Sequence, residues 1–299
     1  MSTVKQELWS SIVEHNLYAD LIAGVGVAAT DDSANLNATK VYIPQAGTPG
    51  TILKDPARPL IVSERSDGVL SYDLNEWVIP PSLVTFASRY NLSYDKLASL
   101  LQDATWGLNE RIVRELCINW YTNQNKVVTT GGNYPRHAPG ADTAANYKGL
   151  TLADINRAGA ILDSMKYPSG DRYLIVDNVM FMQLVDTLGV QSARDAAIIN
   201  QSTLAMPPIS GFNIVRVSAV AFADTGQAVR AFGHAGATTD KAIALAVHKS
   251  AISYAVGNVE INLDMNNAIY VGDIISGAIY AGGKYRRTDY KGVVPIIQG

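Results

Sequence analysis

The 299-residue sequence predicts an α+β fold, and three patterns in it carry that prediction. Residues 93–123 repeat apolar side chains at steps of three and four, the signature of one long amphipathic helix. From residue 151 to about 256, helix and strand patterns alternate as they do in an α/β lobe. From Val259 onward the chain reads almost entirely as strand.

The segments follow in order. Residues 1–38 form an arm in which Leu8, Ile12, Leu17 and Leu21 keep helical spacing, with Trp9 and Val13 beside them. The pattern ends at Gly24 and Gly26, and the polar residues 30–40 read as loop. The opening MSTVKQELWSS has neither the cationic nor the apolar region of a signal peptide. Residues 39–79 read as a projecting hairpin. Its first strand is 39–47 and its second 69–79, where Leu70, Tyr72 and Leu74 alternate with Ser71, Asp73 and Asn75. More than twenty residues separate the strands, Pro49-Gly50, Pro56 and Pro59 among them. A connection of that length is not a tight turn and usually has a function.

Residues 80–150 hold the long helix, with Leu97, Leu101, Ala104, Leu108, Ile112, Leu116 and Trp120 on one face. Ser93 is its expected N-cap and Asp95 lies in its first turn. About 30 residues make a rod of about 45 Å, a spine rather than a bundle member. Residues 125–149 look like loop and mark a boundary. Residues 151–256 then begin with TLAD, a capping-box start in which Asp154 stands for the usual glutamate. A helix with Ile155, Ala158, Leu162 and Met165 inward, a turn at Pro168-Ser169-Gly170, the buried strand RYLIVD, a helix from Asn178 stopped at Gly189, and strands at 211–217 and 242–248 complete it. Residues 257–299 are closing strands.

Composition narrows the function. Charged residues are 17% of the chain, against about 25% in an average protein, and mean hydropathy is +0.05. A surface so poor in charge points to burial against other chains. The fifteen tyrosines suit interfaces as well as cores. A net charge of −3 gives no global bias toward nucleic acid. The single cysteine, Cys117, excludes an internal disulfide and a cysteine-based zinc site within one chain. The longest uncharged stretch, 196–215, contains Asn200, Gln201, Pro207 and Pro208 and is no membrane span.

No catalytic, cofactor or metal constellation stands up. Gly24-Val-Gly26-Val-Ala-Ala29 matches a dinucleotide fingerprint but lacks the strand before and the helix after that would bring a helix N-terminus to a pyrophosphate. GAIYAGGK, 277–284, misses phosphate-loop spacing by one residue and continues with Tyr285 where a hydroxyl for magnesium is needed, so it reads as glycines in a strand. Ser93-Tyr-Asp-Lys96 has S-x-x-K spacing without its partner motifs. His15, His137, His234 and His248 share no ligand spacing. Lys284, Arg286 and Arg287 form the only tight basic cluster, read first as a strand end or inter-subunit ion-pair donor and second as a DNA contact.

The order of these segments resembles that of tailed-bacteriophage major capsid proteins of the HK97-like fold. VYIPQAG followed by RPLIVSERSDGVLSYDLNEWVIPP is similar to the extended loop (E-loop) and its returning strand. LSYDKLASLLQDATWGLNERIVRELCINWYT resembles the spine helix of the peripheral (P) domain. TLADINRAGAILDSMKYPSGDRYLIVDNVMFMQLVD resembles the opening of the axial (A) domain, and YAVGNVEI with YVGDIISGAIYAGGKYRRTDYKGVV the closing strands of the two domains. The resemblance implies an N-terminal arm at 1–38, an E-loop at 39–79, a P domain at 80–150, an A domain at 151–256 and closing strands of both at 257–299. It implies no enzyme and no cofactor, but self-assembly as hexamers and pentamers into an icosahedral shell around double-stranded DNA. Portal and scaffold or decoration proteins would be partners, DNA would be touched weakly, and no membrane is involved. Assembly would occur in the bacterial cytoplasm and the product would be the virion. Starting almost directly at the arm, the chain would take any scaffold from elsewhere. The expected inter-subunit contacts are Trp9, Lys54, Leu70, Tyr72, Leu74, Trp77, Lys284, Arg286 and Arg287; Lys54 also falls where some relatives crosslink. Alternatives are an encapsulin-like nanocompartment shell and an α/β enzyme with a spatially assembled site.

Overall fold

The computed structural model describes residues 25–47, 52–55, 58, 64–86, 96–135, 146–191, 208–217, 220–234, 237 and 239–299. The first half supplies β1 (Thr30–Asp31), β2 (Leu36–Asn37), β3 (Lys40–Gln45), β4 (Gly68–Asp73), β5 (Asn75–Thr85), α1 (Lys96–Trp120), β6 (Val127–Val128), β7 (Asn133–Pro135) and β8 (Asn146–Lys148). The second supplies α2 (Leu152–Ser164), β9 (Arg172–Asp177), α3 (Asn178–Gln191), β10 (Phe212–Val217), β11 (Ala221–Ala223), β12 (Lys241–His248), β13 (Ile252–Asn267), β14 (Gly272–Tyr285) and β15 (Val293–Ile297).

The α/β lobe is built on the strand order β10-β9-β12-β15-β6, with β11 paired to β12. β9 and β10 run parallel across α3, as a strand–helix–strand crossover requires. The central strands are apolar on both faces because both faces are covered. On one, Leu174, Val176, Ala242, Ala244, Ala246 and Ile296 meet Ile155 and Leu162 of α2 and Phe181 and Leu184 of α3. On the other, Ile175, Ile243, Leu245, Val247 and Ile297 meet Leu116 and Trp120 of α1. β12 thus alternates alanine toward one core with large aliphatics toward the other. The expected capping box opens α2: the Thr151 amide donates to Asp154 Oδ2 at 3.0 Å, and the Asp154 amide to Thr151 Oγ1 at 3.3 Å.

A second sheet, β1-β13-β14-β5, carries α1 across its face. Leu108, Ile112, Leu116 and Trp120 point inward at the expected spacing, toward Tyr254, Ile275, Ile279 and Ala281. The Trp120 indole donates to the Ser253 carbonyl at 2.9 Å. Gly283 permits the close approach: a Cβ there would stand 2.6 Å from Leu116 Cδ2 and 2.5 Å from the Ser253 oxygen.

β3 and β4 pair antiparallel as the expected hairpin, from Lys40↔Asp73 to Gln45↔Gly68, with β2 beside β3. The returning strand, however, is two strands rather than one. The chain turns at Leu74, which is buried and donates its amide to the Thr39 carbonyl at 2.8 Å, and then continues as β5 along β14 in the other sheet. Other departures have similarly tertiary causes. Within the expected loop at 30–40, Thr30 and Asp31 pair with Ser253 and Tyr254. Within the expected loop at 125–149, β6 joins the lobe sheet through β15 and β7 pairs with β8. α3 continues past Gly189 to Gln191. As expected, no helix follows Gly26: a 3-10 turn there leads into β1.

Candidate assembly surface

The β3–β4 hairpin has one covered face and one open face, as the period of two demands. Val41, Ile43, Leu70, Tyr72 and Leu74 form a small core with Ala255 of β13. Burial there pushes the Tyr72 hydroxyl up to about 12. The other face presents Tyr42 and Val69, at 49% and 68% exposure; in the neighbouring sheet Val78 of β5 is 58% exposed. An exposed ion pair, Lys40 to Asp73 at 3.2 Å, closes its end.

A second projection is the turn between β13 and β14. Ile269, Tyr270 and Val271 stand out at 83%, 56% and 66% exposure. The turn is nevertheless firmly held. Asn267 Oδ1 accepts from the amides of Ile269 and Tyr270 at 2.9 and 3.2 Å, Asp273 Oδ1 accepts from the Asn266 amide at 2.9 Å, and the Phe86 amide donates to the Val271 carbonyl at 3.0 Å. Val271, a β-branched residue, sits at φ +48°, a conformation costing about 1–3 kcal/mol that the surrounding bonds sustain.

The structure disperses the contact residues expected from sequence. Trp9 lies outside the described residues. Lys54 is exposed within the excursion. Leu70, Tyr72 and Leu74 pack inside their own chain, so their side chains do not offer a surface to another; the alternation was real and its outward face is the other one. Trp77 is half-buried, meeting Phe232 edge-on at 5.2 Å between ring centroids and donating to the Ala281 carbonyl at 3.3 Å. The basic cluster also divides. Lys284 Nζ stands 5.4 Å above the Tyr285 ring, Arg286 pairs with buried Asp32 at 3.3 Å, and Arg287 pairs with Asp289 at 2.8 Å. Arg287 beside it holds the Asp289 carboxyl down to about 2. Tyr42, Val69 and Ile269 to Val271 are exposed apolar residues that sequence reasoning did not single out: the first two lie on the outward face of β3 and β4, the others in a turn.

No sequence-family model matches the chain, and no curated protein matches by sequence. Solved structures do match. The capsid structure of cyanophage P-SCSP1u aligns at a TM-score of 0.60 and 14% identity, over 90% of this chain and 86% of that one. The capsid of Ralstonia phage GP4 aligns at 0.60 and 13%, over 90% and 86%. The acid-stable capsid structure of Helicobacter pylori bacteriophage KHP30 aligns at 0.60 and 10%, over 92% and 90%. The chain has the fold of a phage capsid subunit. The shared fold spans about 90% of this chain. Among the described residues no cluster of three histidine, cysteine or acidic side chains could hold a metal ion, and no helix is long and apolar enough to cross a membrane.

Proposed function

We propose that this chain is the major capsid protein of a tailed bacteriophage, assembling into the icosahedral shell that encloses double-stranded DNA. The observation that carries the reading is the end-to-end match to capsid subunits, about 90% of both chains. The open apolar faces support it: large hydrophobics held on hydrogen-bonded projections are costly in water and stable when covered by another copy. In the HK97-like arrangement, residues 1–38 are the arm, 39–79 the E-loop, 80–150 the P domain with α1 as its spine, 151–256 the A domain, and 257–299 the closing strands. Hexamers and pentamers then close by symmetry, and many weak contacts act together. Portal, scaffold or decoration proteins and the packaged DNA are the remaining partners, and the virion is the destination. The role is structural rather than enzymatic.

The test is sedimentation of the purified full-length chain, followed by negative-stain electron microscopy. Megadalton rings, sheets or closed shells are expected. Native particles should protect DNA from nuclease; particles holding protein cargo instead would make the chain a nanocompartment shell. A species of one to four subunits across salt and concentration, with or without candidate scaffold, would overturn the reading.

A further inference from the structure

A cavity of about 450 Å³ lies at the root of the β3–β4 excursion, where four separate segments meet. Gln45 and Ala46 supply one wall, the turn from Met165 to Pro168 a second, and Arg286, Arg287 and Lys291 a third. Its size falls within the range of small-molecule sites.

Charge is its distinguishing feature. Lys166, Arg286, Arg287 and Lys291 all line it. Two carboxylates contact them: Asp32 takes Arg286, and Asp289 takes both Arg287 and Lys291, the latter at 3.4 Å. Asp163, three residues before Lys166, is already held by Arg172 at 2.6 Å. Four cations against two carboxylates leave a local positive excess in a chain whose net charge is −3. Neutral donors are fixed around them. Gln45 Nε2 donates to the Arg286 carbonyl at 2.6 Å, the Tyr167 hydroxyl to that of Lys291 at 3.3 Å, and Ser250 reaches the same cavity.

Lys166 is the second observation. It closes α2 in the left-handed region, at φ +63°, with the Tyr167 amide returning to the Leu162 carbonyl at 3.2 Å. Glycine is the usual residue at such a helix end, because a side chain there is strained. Here the position carries a long cation on the cavity wall instead.

We propose that this cavity is an oxyanion site that takes a phosphate-bearing ligand, either a phosphodiester backbone or a free polyphosphate. Two guanidinium and two ammonium groups line one hollow, and although Asp289 holds the Arg287 Nε/Nη2 edge and Asp32 the Arg286 Nη1, the cationic excess suits phosphate oxygens in charge. A bound phosphate would tie the excursion's root to the lobe and to the β14–β15 connection. The proposal concerns the single subunit and stands or falls independently of shell formation.

The probe is pyrophosphate, titrated calorimetrically into the purified full-length chain at low salt. Saturable binding to a single site is expected, with a raised melting temperature. Lys166→Gln, an exposed change that leaves folding intact, and Arg287→Gln should each weaken binding about tenfold. Lys40→Gln removes the same charge about 10 Å away, three residues along β3 from the lining residue Ile43, and should weaken binding far less than either cavity variant. Competition by a short DNA duplex would assign the phosphodiester source, and failure to compete the free polyphosphate source; either upholds the site. Absence of saturable binding, retention of it in both cavity variants, or equal weakening by Lys40→Gln would overturn it.

Discussion

β12 and β4 teach different lessons with similar side chains. In β12 both faces are covered, alanines toward α2 and α3, large aliphatics toward α1, and every inward position belongs to the subunit's own stability. In β4 only one face is covered. Leu70 and Tyr72 are core, whereas Val69, one residue away, faces out at 68% exposure. The lobe strand is buried on both faces; the hairpin has one buried face and one open face, the one proposed to dock on another copy. Equivalent substitutions should therefore have unequal consequences.

The largest effect is expected in the lobe. Leu245→Asp would place an unpaired carboxylate in a core closed on both sides, at a cost of about 5 kcal/mol, comparable to the whole stability of a domain. Expression as insoluble chain, or loss of the cooperative thermal transition, is the expected outcome. Leu74→Ala at the hairpin corner should cost about 2–4 kcal/mol, read as a lowered denaturant midpoint with the fold retained. Gly283→Ala should cost about 1–3 kcal/mol, because Leu116 and the Ser253 carbonyl must give way together.

The smallest effect is one of pH. Burial holds the His248 imidazole below its ordinary value, and its Nδ1 accepts from the Ser250 amide at 3.2 Å. The unfolded chain therefore binds that proton more readily than the folded one. The associated stability is present above about pH 6.5 and is lost as pH falls through the lowered folded value. His248→Asn keeps an acceptor and removes the titration, so its melting temperature should fall less steeply with acidification than that of the parent chain.

The same contrast explains what could be read before the structure. Patterns set by neighbours in sequence were legible: the Thr151–Asp154 cap, the inward face of α1 from Leu108 to Trp120, and the strand RYLIVD; the pairing of β3 with β4 was legible from two alternating strands flanking one excursion. Features set by distant partners were not. Alternation through Leu70, Tyr72 and Leu74 shows two faces but cannot say which is inside, because that depends on Ala255 arriving from residues far down the chain. The turn at Leu74 depends on the Thr39 carbonyl, and the strands hidden in polar or glycine-rich stretches depend on β13 and β15. The cationic cavity has the same origin: Arg286 and Arg287 were visible as a cluster, but Lys166 joins them only in three dimensions.

The most direct measurement compares two adjacent substitutions, Val69→Asp and Leu70→Asp, each followed by thermal melting and by sedimentation. The account predicts that Val69→Asp melts within about 0.5 kcal/mol of the parent chain yet forms no megadalton particles, while Leu70→Asp fails to fold. Normal shells from Val69→Asp, or a normally folded Leu70→Asp that fails only in assembly, would contradict it.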